Sequence, residues 1–216
     1  MPNVFYPEKT PKIKFKISSK PSHQECIEYF LSFLKSFDEF SESTFENMIP
    51  ALEYGHWKKN NHLFKTGEEH SYLNFIVSGA FVFYKEEKKS KNILGFLTEC
   101  NFCSPVVGFL TKQPSEEAAL CVENCYGLKI SLKNFLILMK RNDFASFIQN
   151  INLKMLNYLT NRMYSFQSMD AKQRYDALLV ENPEVFMRFS SQDIALFLGI
   201  EPATLSRIRK EKNKYK

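Results

Sequence analysis

The strongest constraint in this 216-residue chain lies near its end, in residues 190–210, SSQDIALFLGIEPATLSRIRK. Two helices that cross steeply through a short turn need a small residue where they touch and a residue tolerant of positive φ where the chain reverses. Ala195 and Gly199 stand at those places, one helical turn apart. Ile194, Leu198 and Ile200 fall on the interior side of the first helix and the turn, and Leu205 and Ile208 on that of the second. Ser190 with Asp193 predicts a capping box for the first helix, and Pro202 suits the first turn of the second. The pattern is that of a helix-turn-helix.

Ala203, Thr204, Ser206, Arg207 and Lys210 are left on the outer side of the second helix. In a helix-turn-helix this side enters the major groove of double-stranded DNA. Arg207 is the best candidate for a base contact, because its fork can grip guanine O6 and N7 together. Ser191, Gln192 and Thr204 are short polar groups near helix N-termini, suited to phosphate oxygens. Arg209, Lys210, Lys212 and Lys214 add affinity that does not depend on sequence. The charge distribution agrees: residues 207–216 carry six bases and one acid, which accounts for the whole formal excess of +5. A basic cluster of this kind attracts polyanions.

Upstream, the hydrophobic period changes twice. Residues 1–22, with four prolines among lysines, read as an extended arm with no apolar core of a secretory signal. Residues 24–52 place apolar side chains at three- and four-residue steps, which predicts two short helices broken around Asp38 to Ser43, with Ser43 capping the second. From Tyr54 to Ile130 the period is two, clearest in 74–86 and 91–97 and punctuated by Gly67, Gly79, Pro105 and Pro114. Regularly spaced short strands of this kind predict an antiparallel roll. Helical spacing returns at Ser131 and runs to about Ser168. Phe144, Ile148, Ile151, Met155, Tyr158, Arg162 and Ser165 step alternately by four and three, a 3.5-residue repeat. Such a seam favours a coiled coil and with it a parallel or near-parallel homodimer, the alternative being a helix lying across its own roll.

Other chemistries have less behind them. The five cysteines are an odd set in a chain read as cytoplasmic, which argues against a disulfide framework. Cys100, Cys103, Cys121 and Cys125 have the spacing of a four-thiolate metal site, yet lie where small buried hydrophobes are also expected. His23, His56, His62 and His70 are scattered without a nucleophile motif, and no phosphate-cradling glycine loop is present, so neither catalytic residues nor a cofactor are predicted. No run of residues is apolar enough for a membrane span.

Three stretches, LFKTGEEHSYLNFIVSGAFVFYKE, the long helix and FSSQDIALFLGIEPATLSRIRK, resemble the Crp/Fnr family of transcription regulators over roughly residues 24–216. The resemblance implies an α+β chain: a cyclic-nucleotide-binding-like β-roll (jelly roll) over 23–141 with flanking helices, a dimerisation helix over 142–168, and a helix-turn-helix domain over 169–216. It also implies a homodimer, RNA polymerase as a partner, and a small-molecule effector that shifts the DNA-binding heads. The family holds the nucleotide phosphate with a Gly-Glu pair and an arginine in a short cassette. Here Ser104 and Pro105 stand at the Gly-Glu positions, and Glu116 and Glu117 lie near where the arginine is expected. Carboxylates repel a phosphodiester, so an effector other than cyclic AMP is expected, with Ser104, Pro105, Ser115 and Glu116 marking the candidate pocket. The chain ends soon after the second helix, which implies a reduced winged helix. Alternatives are a thiol- or metal-responsive regulator using the four cysteines, or a ligand-binding roll without DNA function.

Overall fold

The computed structural model describes residues 17–37, 41–87 and 90–213, so most of the N-terminal arm, and Lys214, fall outside it. Helix α1 (His23–Leu34) opens on a complete capping box: the Ser22 hydroxyl accepts the Glu25 N–H and the Glu25 carboxylate accepts the Ser22 N–H. Its three- and four-residue spacing puts Cys26, Ile27, Phe30, Phe33 and Leu34 on one buried face. Helix α2 (Glu42–Met48) begins at Ser41, not at the expected Ser43. The reason lies across the fold. The Ser41 hydroxyl donates to Asp143 Oδ2 at 2.9 Å, while Ser43 lies within the helix and accepts from the Arg141 guanidinium at 2.6 Å.

The period-two region forms β1 (Leu52–Trp57), β2 (His62–Phe64), β3 (Tyr72–Ser78), β4 (Phe81–Glu87), β5 (Ser90–Leu97), β6 (Phe102–Cys103), β7 (Glu117–Cys121) and β8 (Cys125–Ser131). These pair into two four-stranded antiparallel sheets, ordered β1-β8-β3-β6 and β2-β7-β4-β5. Gly79, at φ +113°, splits the apolar run 74–86 where the chain leaves the first sheet for the second. A Cβ there would lie 2.6 Å from Cys125 Sγ, so the corner requires glycine. Helices α3 (Val106–Thr111) and α4 (Leu132–Leu138) flank the roll.

Three apolar clusters define the layers. Phe75, Leu128 and Ile130 of the first sheet pack against Phe30 and Phe33 of α1, Phe135 of α4 and Phe147 of the long helix α5 (Asn142–Ser168). Leu63, Phe64, Ile76, Phe81, Cys103, Ala119, Cys121 and Cys125, drawn from both sheets, fill the roll. The third cluster joins Val82, Tyr84, Ile93 and Phe96 of the second sheet to the C-terminal helices α6 (Ala171–Glu181), α7 (Val185–Arg188), α8 (Ser191–Leu198) and α9 (Pro202–Asn213). The C-terminal head is thus docked on the roll. Phe96 of β5 lies 4.5 Å from the ring of Phe189 and 5.0 Å from that of Phe197.

Helix α5 runs 27 residues, about 40 Å at 1.5 Å per residue. Most of its 3.5-residue seam settles on the chain's own roll, Met155 alone of the seven being exposed, at 43%. Phe144 and Ser165 are buried, Ile148 and Ile151 pack on the helix-side core, and the Tyr158 hydroxyl and Arg162 guanidinium donate to the Leu94 and Ile93 carbonyls of β5 at 3.3 and 3.0 Å. A second stripe, about one residue round the helix, is exposed instead: Leu153 at 56%, Leu156 at 61%, Leu159 at 52% and Met163 at 60%.

The first turn of α5 is tied down by Asp143. Partial burial pushes its carboxyl up, but hydrogen bonds from Thr44, from the Ser41 hydroxyl and N–H, and from the Phe144 N–H outweigh that and hold it down to about 2. A carboxylate depressed in the folded state stabilises it above its unfolded pKa, and that contribution is lost as pH falls through the folded value. Asp143→Asn should therefore cost about 2 kcal/mol near neutral pH. The gap from the parent should close between about pH 4 and pH 2. Denaturant melts at several pH values measure this, and an unchanged gap at low pH would contradict it.

Candidate nucleic-acid interface

The C-terminal corner forms as its residue types require. The Ser190 hydroxyl accepts the Asp193 N–H at 3.0 Å and donates to the Asp193 carboxylate at 2.5 Å, so the cap is made, though the carboxylate turns to the hydroxyl where a capping box would turn it to the Ser190 N–H. Helix α8 ends at Gly199, in the left-handed region at φ +65°, where an added Cβ would also lie 2.7 Å from the Phe166 ring of α5. The Ile200 N–H closes on the Ala195 carbonyl at 3.0 Å, and Pro202 opens α9. Ile194, Ala195 and Leu198 are wholly buried, Leu205 and Ile208 nearly so, and Ile200 is half-buried against them. Below them lie Tyr175, Leu178, Val185 and Phe189.

The outer face is open. Ala203, Ser206, Arg207 and Lys210 are exposed on α9, Thr204 is half-buried, and Ser191 and Gln192 are exposed at the start of α8. The basic residues divide into two groups. Arg209 donates to the Ser191 hydroxyl at 2.7 Å and lies over the Phe186 ring, and Lys212 pairs with Asp176 beside Tyr175. These two cations brace the head itself. Arg207 and Lys210 have no side-chain partner among the described residues and face solvent, which is where a polyanion would meet them. Among the described residues no strand follows α9, so the face is helical only.

Two features of the head carried no signal in the sequence. Phe197 is buried not in the corner but against the roll, with the Arg162 guanidinium 3.9 Å from its ring and donating to its carbonyl at 3.3 Å. Arg188, at the end of α7, reaches Glu99 between β5 and β6 and Glu123 between β7 and β8. Burial pushes the Glu99 carboxyl up, but Arg188 more than offsets this and holds it below the usual carboxylate range.

In the roll, the four pocket candidates have their polar groups already engaged. The Ser104 hydroxyl donates to the Tyr72 carbonyl at 3.0 Å and Pro105 is buried at the start of α3. Ser115 is buried, donates to the Glu117 carbonyl at 2.8 Å and accepts the Glu117 N–H at 3.0 Å. Glu116 pairs with Lys85 at 2.6 Å. None of the four lines the cavity of about 310 Å³, which lies at the other flank between Pro50 and Ala51 and the α4 residues Asn134, Ile137 and Leu138.

The cysteines are all buried and unbridged. Cys100 meets the Tyr29 hydroxyl at 3.1 Å in the helix-side core, whereas Cys103, Cys121 and Cys125 belong to the core between the sheets. Burial pushes Cys100 up to about 11 and Cys26 up to about 12, and raises Cys103 further. The four-thiolate set is split, and among the described residues no group of three or more His, Cys, Asp or Glu is placed to hold a metal ion. In this fold all five sit as small buried side chains within the apolar layers.

Comparison with known proteins agrees with this architecture. The cyclic nucleotide-binding domain family matches residues 55–142. No curated protein sequence matches the chain. Among solved structures, FixK2 from Bradyrhizobium japonicum superposes with a TM-score of 0.64 at 15% identity, over 76% of this chain and 85% of that one. A CooA variant from Carboxydothermus hydrogenoformans gives 0.63 at 16% identity, over 93% of this chain and 88% of that one. The c-di-GMP responsive global regulator CLP from Xanthomonas campestris gives 0.61 at 15% identity, over 81% and 92%. With a roll matched by the cyclic nucleotide-binding domain, a long connecting helix and a helical head in the same order, the chain has the fold of the Crp/Fnr-family regulators.

Proposed function

We propose that this protein is a sequence-specific, DNA-binding transcription regulator of the Crp/Fnr type, acting as a homodimer in the cytoplasm by binding and not by catalysis. The observation that carries the reading is Arg207, unpartnered among the described residues and exposed on the outer side of α9, with the Ala195 and Gly199 corner holding that side outward. Its fork reads a guanine edge, Ser206 and Ala203 lie beside it, and Lys210 with Gln192 and Thr204 meets phosphates. Ser191 contributes by way of Arg209, which already holds its hydroxyl. With two of the basic side chains committed inside the head, the phosphate contacts per protomer are few and the salt dependence shallow. RNA polymerase is the partner expected of a regulator of this type.

Arg207→Ala should weaken binding to a selected duplex by roughly tenfold and relax the base preference at one position. Lys210→Ala should weaken all sequences alike and lower the salt slope by about one. Gel shifts over a salt series measure both, and binding indifferent to Arg207 and to sequence would refute the proposal.

The dimer forms along the exposed stripe of α5, where Leu153, Leu156, Leu159 and Met163 present a continuous apolar surface to a second copy. Leu156→Asp with Met163→Asp should weaken self-association by about a hundredfold or more. Sedimentation equilibrium tests it; a parent protein that stays monomeric at micromolar concentration rules this interface out.

The effector is not cyclic AMP bound in the family manner. Ser104 and Ser115 spend their hydroxyls on backbone, and Glu116 needs Lys85 to balance its own charge. A calorimetric titration with cyclic AMP is expected to give no saturable heat at micromolar concentration, and a clear micromolar isotherm would overturn this point.

A further inference from the structure

We infer that Arg188 is the positioning residue through which the roll sets the DNA-reading helix, an inference that rests on the DNA-binding reading above. Its side chain is 19% exposed, and its donors go to carboxylates of the other domain. Nη1 and Nη2 donate to the two Glu99 oxygens at 2.7 and 2.9 Å, and Nε and Nη2 to the two Glu123 oxygens at 2.8 and 3.0 Å. Glu184, the N-cap of α7, adds a third carboxylate 3.6 Å from Nη1. Glu99 is itself fixed, accepting the Gly79 N–H at 2.8 Å.

One guanidinium therefore joins two separate roll loops to the head. Planar bidentate pairing fixes direction as well as distance, so the clamp sets the angle at which α7 leaves the roll. The next residue, Phe189, packs on Phe96, and α8 begins two positions later. Clamp and aromatic contact together leave α8, and α9 beyond it, one seat on the second sheet. Removing the guanidinium does more than subtract an attraction, because Glu99 and Glu123 would then face each other without a counter-charge.

The clamp also connects along the chain to the segment of the roll that carries Ser104 and Pro105. Cys100, directly after Glu99, holds φ +62°, a conformation costly for a residue with a Cβ. The chain then runs through β6 to Ser104, Pro105 and α3. A shift of α3 or its preceding segment is relayed to Glu99 over a few residues of backbone with little slack, and from Glu99 to the head through Arg188.

Hydrogen exchange on the full-length protein, paired with binding to a duplex selected by the parent from a random pool, tests this. Arg188→Gln should raise exchange in 93–97 and 191–198 by on the order of tenfold while 125–131 stays protected. Affinity for the selected duplex should change by on the order of tenfold, with Arg188→Lys intermediate. Glu123→Gln, which keeps the Glu99 pair, should move both readouts the same way by less, and it serves if Arg188→Gln fails to fold. Unchanged exchange in both neutral variants would refute the clamp. Raised exchange with unchanged DNA affinity would refute the positioning role alone. A parent protein that binds no duplex defeats the DNA reading and the positioning role with it, while the exchange data still decide whether the clamp holds the head.

Discussion

Helix α8 is buried on two sides, and the placement of everything C-terminal to α5 depends on this. Ile194, Ala195 and Leu198 face the rest of the head, as any helical corner demands, while Phe197 faces Phe96 on the second sheet. Full burial of one such aromatic is worth about 2 to 3 kcal/mol, and the aromatic pairs at Phe96 add about 1 kcal/mol each. Arg162 seals the contact from above, its Nη2 donating to both the Ile93 and the Phe197 carbonyls and its plane lying over the Phe197 ring. Roll and head thus share one apolar cluster, and the long helix joins it through Arg162.

The corner at 190–210 was readable because its requirements are local: a small contact residue, a left-handed glycine and apolar residues at fixed offsets within twenty-odd positions. The roll was readable for a similar reason, since alternation and turn residues report strands without knowledge of their partners. Direction was harder. Periodicity states which residues of α5 share a face but not what lies opposite, and α5 carries two apolar stripes about one residue apart. The stripe with the cleaner 3.5-residue step packs largely on the chain's own roll, because β5 offers the Leu94 and Ile93 carbonyls there. The other stripe is left exposed.

Residues whose partners are remote in sequence left no trace. Ser41 displaces Ser43 as the start of α2 because Asp143, on another helix, draws its hydroxyl. Phe197 looked like one more apolar residue of α8, and Arg188 like one more surface cation. Charge counting was misleading in the same way: half of the described bases on the basic terminal helix, Arg209 and Lys212, are committed to Ser191 and Asp176 within the head. The thiols show the converse, a suggestive spacing that the fold resolves into separate apolar layers.

Helix α5 turns about 100° per residue, so the stripe held by the roll and the stripe offered outward diverge by that angle on one stiff rod. Tilting or rolling the rod to fit a neighbour more snugly would draw Tyr158 and Arg162 away from the β5 carbonyls, and Arg162 would release Phe197 as it went. A second copy seated on the outward stripe, as proposed, would therefore be geared to head seating through a common axle, so that whatever tightened one would be felt by the other.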